Sequence, residues 1–235
     1  MVEMKMEKNI IGILGGMGPE STADVYLKIV KICQKKYMIS DDADFPQILI
    51  YSCPISSTEK PINDSGILSC IENGIEKLIE GGANIIIMIC NSIHCFIDQL
   101  REKYKVKFIS VVEEMLKEVI DDGIRKVGLL AFPITLKKKV YEREFIKSGV
   151  EIILPNEEDQ TKINKIISNV SKGNKTEKDK KEMFDVVKKL ESSGSESVIL
   201  GCTELSLLLE DKDRNNILDC NVIIAESVLT EFFGE

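Results

Sequence analysis

The chain has 235 residues, 43% hydrophobic and 30% charged, and its 31 Lys and Arg against 39 Asp and Glu give a formal charge of −8. At that size a core forms without disulfides or metals, and interleaved charges with a negative sum give no electrostatic reason to bind nucleic acid or an anionic membrane. The partner implied is a small molecule.

The opening residues Met1–Lys8 are charged and lack the apolar stretch of a signal peptide. No apolar run approaches the roughly 18 residues of a membrane span. Seven cysteines cannot all pair and none forms a CxxC motif, so reduced thiols in a cytoplasmic setting are expected. With one histidine and no paired ligand spacing, no metal is expected.

Short β-branched runs predict strands at Ile10–Leu14, Gln47–Tyr51, Asn84–Ile89, Lys107–Val111, Lys126–Leu130, Glu151–Leu154, Ser197–Leu200 and Asn221–Ala225. Helical patterns fall between them at Ser21–Lys35, Gly66–Glu80, Glu113–Asp121, Leu136–Lys147 and Lys178–Ser192, followed by Glu226–Phe233. Asn169–Asp179 is the most polar stretch and reads as a mobile loop. Continuous apolar strands alternating with amphipathic helices predict an α/β fold with parallel sheets covered on both faces. Crossovers should be right-handed, with ligands beyond the carboxyl ends of the strands.

The chain also repeats itself. Ile86-Ile87-Met88-Ile89-Cys90-Asn91-Ser92 matches Val198-Ile199-Leu200-Gly201-Cys202-Thr203-Glu204, and upstream Ile11–Leu14 matches Val127–Leu130. The glycine-to-cysteine distance is 78 residues in the first half (12 to 90) and 74 in the second (128 to 202). The repeat predicts two similar Rossmann-like lobes related by a pseudo-twofold, one spanning 1–106 plus 215–235 and the other 107–214. A cleft between them would carry one thiol on each wall, a geometry suited to moving a proton from one face of a carbon to the other.

Three motifs carry the chemistry. Gly15-Gly16-Met17-Gly18-Pro19-Glu20 follows the first strand, where glycines allow tight turns and Pro19 suits the first turn of a helix. Its spacing matches neither phosphate-loop pattern, and carboxylate binding at the helix-start amides fits better. Cys90-Asn91-Ser92-Ile93-His94 and Gly201-Cys202-Thr203-Glu204 end the repeated strands. Cysteine is often only a small buried hydrophobe, the reading for Cys33, Cys53, Cys70, Cys95 and Cys220; duplication and the polar residues that follow set Cys90 and Cys202 apart. A helix N-terminus contributes about 0.3–2 kcal/mol and should lower such a thiol by roughly one pKa unit. His94 is placed to tune that thiol or orient substrate, or to act as an ordinary polar helix residue. Glu204 is placed to accept from an ammonium group or to complement a helix start.

At these residues the sequence resembles the aspartate/glutamate racemase family over essentially its whole length. Members carry Gly-Gly-Met-Gly-Pro, Cys-Asn-Thr and Gly-Cys-Thr-Glu elements in this order, here Gly15–Pro19, Cys90-Asn91-Ser92 and Gly201–Glu204. The last form is similar to the aspartate-racemase branch, glutamate racemases having His at the Glu204 position. The resemblance implies an isomerase that uses no pyridoxal phosphate, other cofactor or metal, with Cys90 and Cys202 as the acid/base pair, and a homodimer. It implies a substrate site of Met17, Ser52, Glu59, Asn91, Ser92, Thr135, Lys172, Thr203 and Glu204, with aspartate or glutamate as substrate. The departures are Glu59 in place of an arginine that pairs with an acidic side chain, Ser92 for Thr, Ile134 for Gly and Lys138 for a small hydroxyl residue. A racemase of a non-acidic amino acid, a hydantoin- or maleate-type isomerase and a non-catalytic small-ligand sensor are the alternatives.

Overall fold

The computed structural model describes residues 9–55, 64–210 and 215–234. Eight strands are present: β1 Ile10–Gly15, β2 Gln47–Ser52, β3 Ile85–Met88, β4 Lys107–Ile109, β5 Lys126–Ala131, β6 Glu151–Ile153, β7 Ser197–Gly201 and β8 Ile217–Asp219. They form two four-stranded sheets, ordered β2-β1-β3-β4 and β6-β5-β7-β8, with every pairing parallel. Replacing each strand of the first sheet by the one four places later gives the second, the equivalence that the repeat predicts. β3 and β7 are buried along their whole length, as parallel strands covered on both faces must be.

Ten helices complete the described chain: α1 Pro19–Lys35, α2 Asp64–Glu80, α3 Ile97–Lys103, α4 Val111–Asp121, α5 Pro133–Lys137, α6 Glu142–Lys147, α7 Glu157–Ser171, α8 Glu177–Ser192, α9 Thr203–Ser206 and α10 Cys220–Phe233. One core joins the sheets, taking Ile11, Ile13 and Ile87 from the first, Leu129 and Ile199 from the second, and Ile224, Val228 and Leu229 from α10. A second core lies under α7 and α8 and a third under α2 and α3.

Four expectations change. Asn221–Ala225 is helical, not a strand, and the strand is Ile217–Asp219 just before it. The run is β-branched because α10 is buried on nearly all sides, against α1 and α4. Its boundaries carry the usual signals: Asp219 accepts from the Asn221 amide at 2.9 Å, and Gly234 takes a left-handed φ of 75°. Second, Lys107–Ile109 pairs with β3, so the boundary drawn at 106 falls ahead of a strand of the first sheet, while Ile217–Asp219, assigned to the first lobe, pairs with β7. Third, Leu136–Lys147 divides into α5 and α6 at Lys139, whose φ of 52° breaks the helix. Fourth, α7 is an unanticipated helix, and the polar stretch after it is tied down: Asn169 donates to Asp179 at 2.8 Å and Thr176 caps α8.

Candidate active site

β1 runs directly into the glycine turn. Gly16 has φ of 88°, and a Cβ there would stand 2.5 Å from the Cys53 amide nitrogen and 2.8 Å from Ser52 Oγ, so only glycine fits. Thr22 secures the turn, accepting from the Gly16 amide at 3.0 Å and donating to the Gly18 carbonyl at 2.9 Å. Met17, partly buried, packs on the outer core of the first lobe. Ser52 is exposed at the end of β2.

Cys90 follows β3 in an extended conformation and precedes the 3-10 turn Asn91–Phe96; Cys202 follows β7 in the same way and precedes α9. The amides of Ser92 and Ile93 and the Ser92 hydroxyl approach the Cys90 sulfur. The Cys202 thiol donates to Glu204 Oε2 at 3.0 Å, and the Thr203 hydroxyl donates to the same oxygen at 3.2 Å. The other oxygen reaches the opposite lobe: a Cβ on Gly18 would lie 2.7 Å from Glu204 Oε1.

The electrostatics reverse the expected direction. Burial, then the Glu204 carboxylate, pushes the Cys90 thiol up to about 11, although the Ser92 and Ile93 amides pull the other way. Cys202 is held well above the usual thiol range by burial, then by Glu204. Losing water and facing a carboxylate outweigh helix-start amides worth about one unit. With nothing bound, both sulfurs are thiols, and the one carboxylate acts on both.

Contacts between the lobes complete the site. Ser92 Oγ lies 3.0 Å from Thr135 Oγ1 in α5. Asn91, 4% exposed, spends its side chain inward: Oδ1 accepts from the Tyr141 hydroxyl at 2.5 Å and Nδ2 donates to Cys220 Sγ at 3.4 Å. Its side chain therefore does not face the cleft as a carboxylate ligand. Lys138 pairs with Asp64, and Lys175 with Glu20 in the first turn of α1. Lys172 is exposed at the end of α7, three residues before Lys175. Glu59 lies outside the described residues.

His94 is a structural group. Nδ1 lies 3.0 Å from the Cys90 carbonyl oxygen, and Nε2 lies 3.4 Å from the Val111 amide, which donates to it. The proton therefore sits on Nδ1, and burial lowers the imidazole to about 4, leaving it neutral. Among the described residues no group of three or more His, Cys, Asp and Glu could hold a metal ion, and no helix is long and apolar enough to cross a membrane. Tyr141, Cys220 and Asn221 were not singled out for the site from sequence. Tyr141 gave no signal, lying in the break between α5 and α6; Asn221 opens a run that reads as a strand, and Cys220 reads as a small buried hydrophobe.

Residues 14–228 match the family described as Asp/Glu/Hydantoin racemase. The broad-specificity amino-acid racemase RacX of Bacillus subtilis (strain 168) is 28% identical over 227 residues, covering 96% of this chain and 99% of that protein. The structure of an aspartate racemase homologue from Pyrococcus horikoshii OT3 is similar with TM-score 0.78 at 30% identity, covering 96% of this chain and 99% of that one. Picrophilus torridus aspartate racemase gives TM-score 0.82 at 22% identity, covering 96% and 94%, a likeness of fold.

Proposed function

Because this chain belongs to the Asp/Glu/Hydantoin racemase family, we propose that it racemises an amino acid by two-base proton transfer between Cys90 and Cys202, without a cofactor. The observation that carries this reading is the matched placement of the two cysteines, each ending the equivalent strand of its sheet and both within the field of Glu204.

The steps follow from the groups present. The substrate ammonium binds Glu204 on the Gly18 side, and the α-carboxylate takes the hydroxyls of Ser92 and Thr203 and the amides that open the turns after each cysteine. Such preorganised donors stabilise the negative charge that spreads onto the carboxylate as the α-proton leaves. The ammonium also offsets the charge that raises both thiols, so a thiol loses its proton to solvent more readily with substrate bound than without. The resulting thiolate removes the α-proton from one face, and the opposite thiol donates its own to the other. Each turnover ends with the protonation states of the two sulfurs exchanged.

Aspartate and glutamate are the first substrates to examine. Lys172 would meet the side-chain carboxylate, since Lys175 of the same segment already reaches Glu20 beside the glycine turn. A second reading, a racemase of neutral or basic amino acids, draws on Glu204, because an acidic substrate brings another carboxylate toward it. The test is incubation with single L- and D-amino acids in D2O, followed by NMR for α-hydrogen loss and chiral separation, with Lys172→Ala alongside. Exchange with inversion supports the racemase reading; a raised KM in the variant for acidic substrates alone assigns Lys172 to the side chain. Turnover of hydantoins or maleate but no amino acid would contradict it, as would ligand binding with no proton exchange. Light scattering tests the homodimer.

A further inference from the structure

A buried chain of polar groups connects the residue after Cys90 to the residue after Cys202, through the first two residues of α10. Asn91 Nδ2 donates to Cys220 Sγ at 3.4 Å, and the Tyr141 hydroxyl fixes the orientation of that amide by donating to Asn91 Oδ1. Asn221 Nδ2 donates to the Thr203 carbonyl at 3.3 Å and to Asp24 Oδ2 of α1 at 2.8 Å. Asn221 is fully buried, Cys220 is 1% exposed, and Asn91, Thr203 and Tyr141 are all buried. The space left beside Asn91, Thr203, Cys220 and Asn221 is only about 10 Å3, at the lower limit for one water.

Helix α10 suits this role because it belongs to both lobes. It starts directly after Asp219, the last residue of β8 in the second sheet, and then lies against α1 and α4, the helices that follow β1 and β4 of the first sheet. Its opening residues therefore stand where the two cysteine-bearing turns approach one another.

We propose that Cys220-Asn221 is a positioning element that holds the two catalytic turns, and hence the two thiols, in mutual register. The inference rests on the racemase reading and adds to it. Neither residue touches substrate; each acts through the backbone or side chain that follows a catalytic cysteine. In a two-base reaction the register matters in a particular way. One thiolate can still remove the α-proton when its partner is misplaced, but delivery from the opposite face then fails. The proton returns from the first sulfur after exchange with solvent, giving exchange with retention instead of inversion.

The test compares wild type with Asn221→Ser and Cys220→Ala, measuring α-deuterium incorporation and inversion separately from each enantiomer in D2O. The result expected is a fall in racemisation kcat of about a hundredfold for Asn221→Ser, the cost of misplacement by about 1 Å. KM should change little, and the ratio of exchange to inversion should rise. Cys220→Ala, which removes only the sulfur acceptor, should move the ratio the same way by less, and it decides the matter if Asn221→Ser fails to fold. If exchange and inversion fall in equal proportion, or neither changes, the proposal is overturned. Failure of the wild type to invert any amino acid would instead remove the racemase reading, so the two failures are distinguishable.

Discussion

Glu204 accepts the Cys202 thiol at 3.0 Å while its other oxygen lies against Gly18 of the opposite lobe. One carboxylate thus raises both thiols, and in the proposed mechanism the same group holds the substrate ammonium. Glu204→Gln should lower both thiols, so iodoacetamide should alkylate Cys90 and Cys202 severalfold faster at fixed neutral pH. Racemisation should fall in the same variant, because the ammonium loses its partner. Unchanged alkylation of both cysteines would show that the carboxylate does not control them.

The pH profile follows from the same pair. With Cys90 pushed up to about 11 and Cys202 also raised, the reactive thiolate is scarce in free enzyme at neutral pH and grows as pH rises. Wild-type kcat/KM should climb across roughly pH 7–9 with a slope near one. A profile that is flat or falling in this range would mean a thiolate is already present in the free enzyme.

Two glycines two positions apart in the sequence motif should respond differently to alanine. Gly16→Ala places a side chain at φ of 88° and within 2.8 Å of Cys53 backbone atoms, so it should cost at least about 1–3 kcal/mol of stability. Gly18→Ala meets only the flexible end of Glu204, so the fold should keep its stability while kcat/KM falls at least tenfold as the carboxylate is displaced. Chemical denaturation and kinetics of both variants check this; equal stability losses would refute the distinction.

His94 provides a stability signature separate from activity. Its folded pKa is lowered to about 4 from 6.5, chiefly by burial, so below 6.5 the unfolded chain binds a proton that the folded chain refuses. The stabilisation from keeping His94 neutral is therefore full above 6.5 and lost as pH falls through 4, about 3 kcal/mol in all. Urea unfolding of wild type and His94→Gln between pH 7 and 4 should show a shallower acid loss in the variant. Parallel curves would mean that His94 titrates normally in the folded state.

Much of the fold was legible because buried parallel strands are continuous apolar runs, and seven of the eight lie where such runs occur. The repeat around Cys90 and Cys202 survived translation into space as two sheets of equivalent strand order. The final run misled for a physical reason: a β-branched apolar run such as that in Asn221–Ala225 suits both a buried strand and a helix buried on most sides, and local pattern does not separate the two. Asp219 and Gly234, a capping residue and a left-handed terminator, were the local signs of a helix. The thiol electrostatics were not legible. Helix-start amides are readable from spacing, whereas the desolvation and the approach of Glu204 that overcome them depend on how the lobes meet. The roles of Tyr141 and Asn91 depend on the same meeting.

The central claim is that both cysteines are needed, one for each face of the α-carbon. The most direct measurement is racemisation of the best amino-acid substrate, in both directions, by Cys90→Ala and Cys202→Ala at matched fold content by circular dichroism. Each variant should lose racemisation by several orders of magnitude while remaining folded. Near-native turnover by either variant would contradict the two-base account.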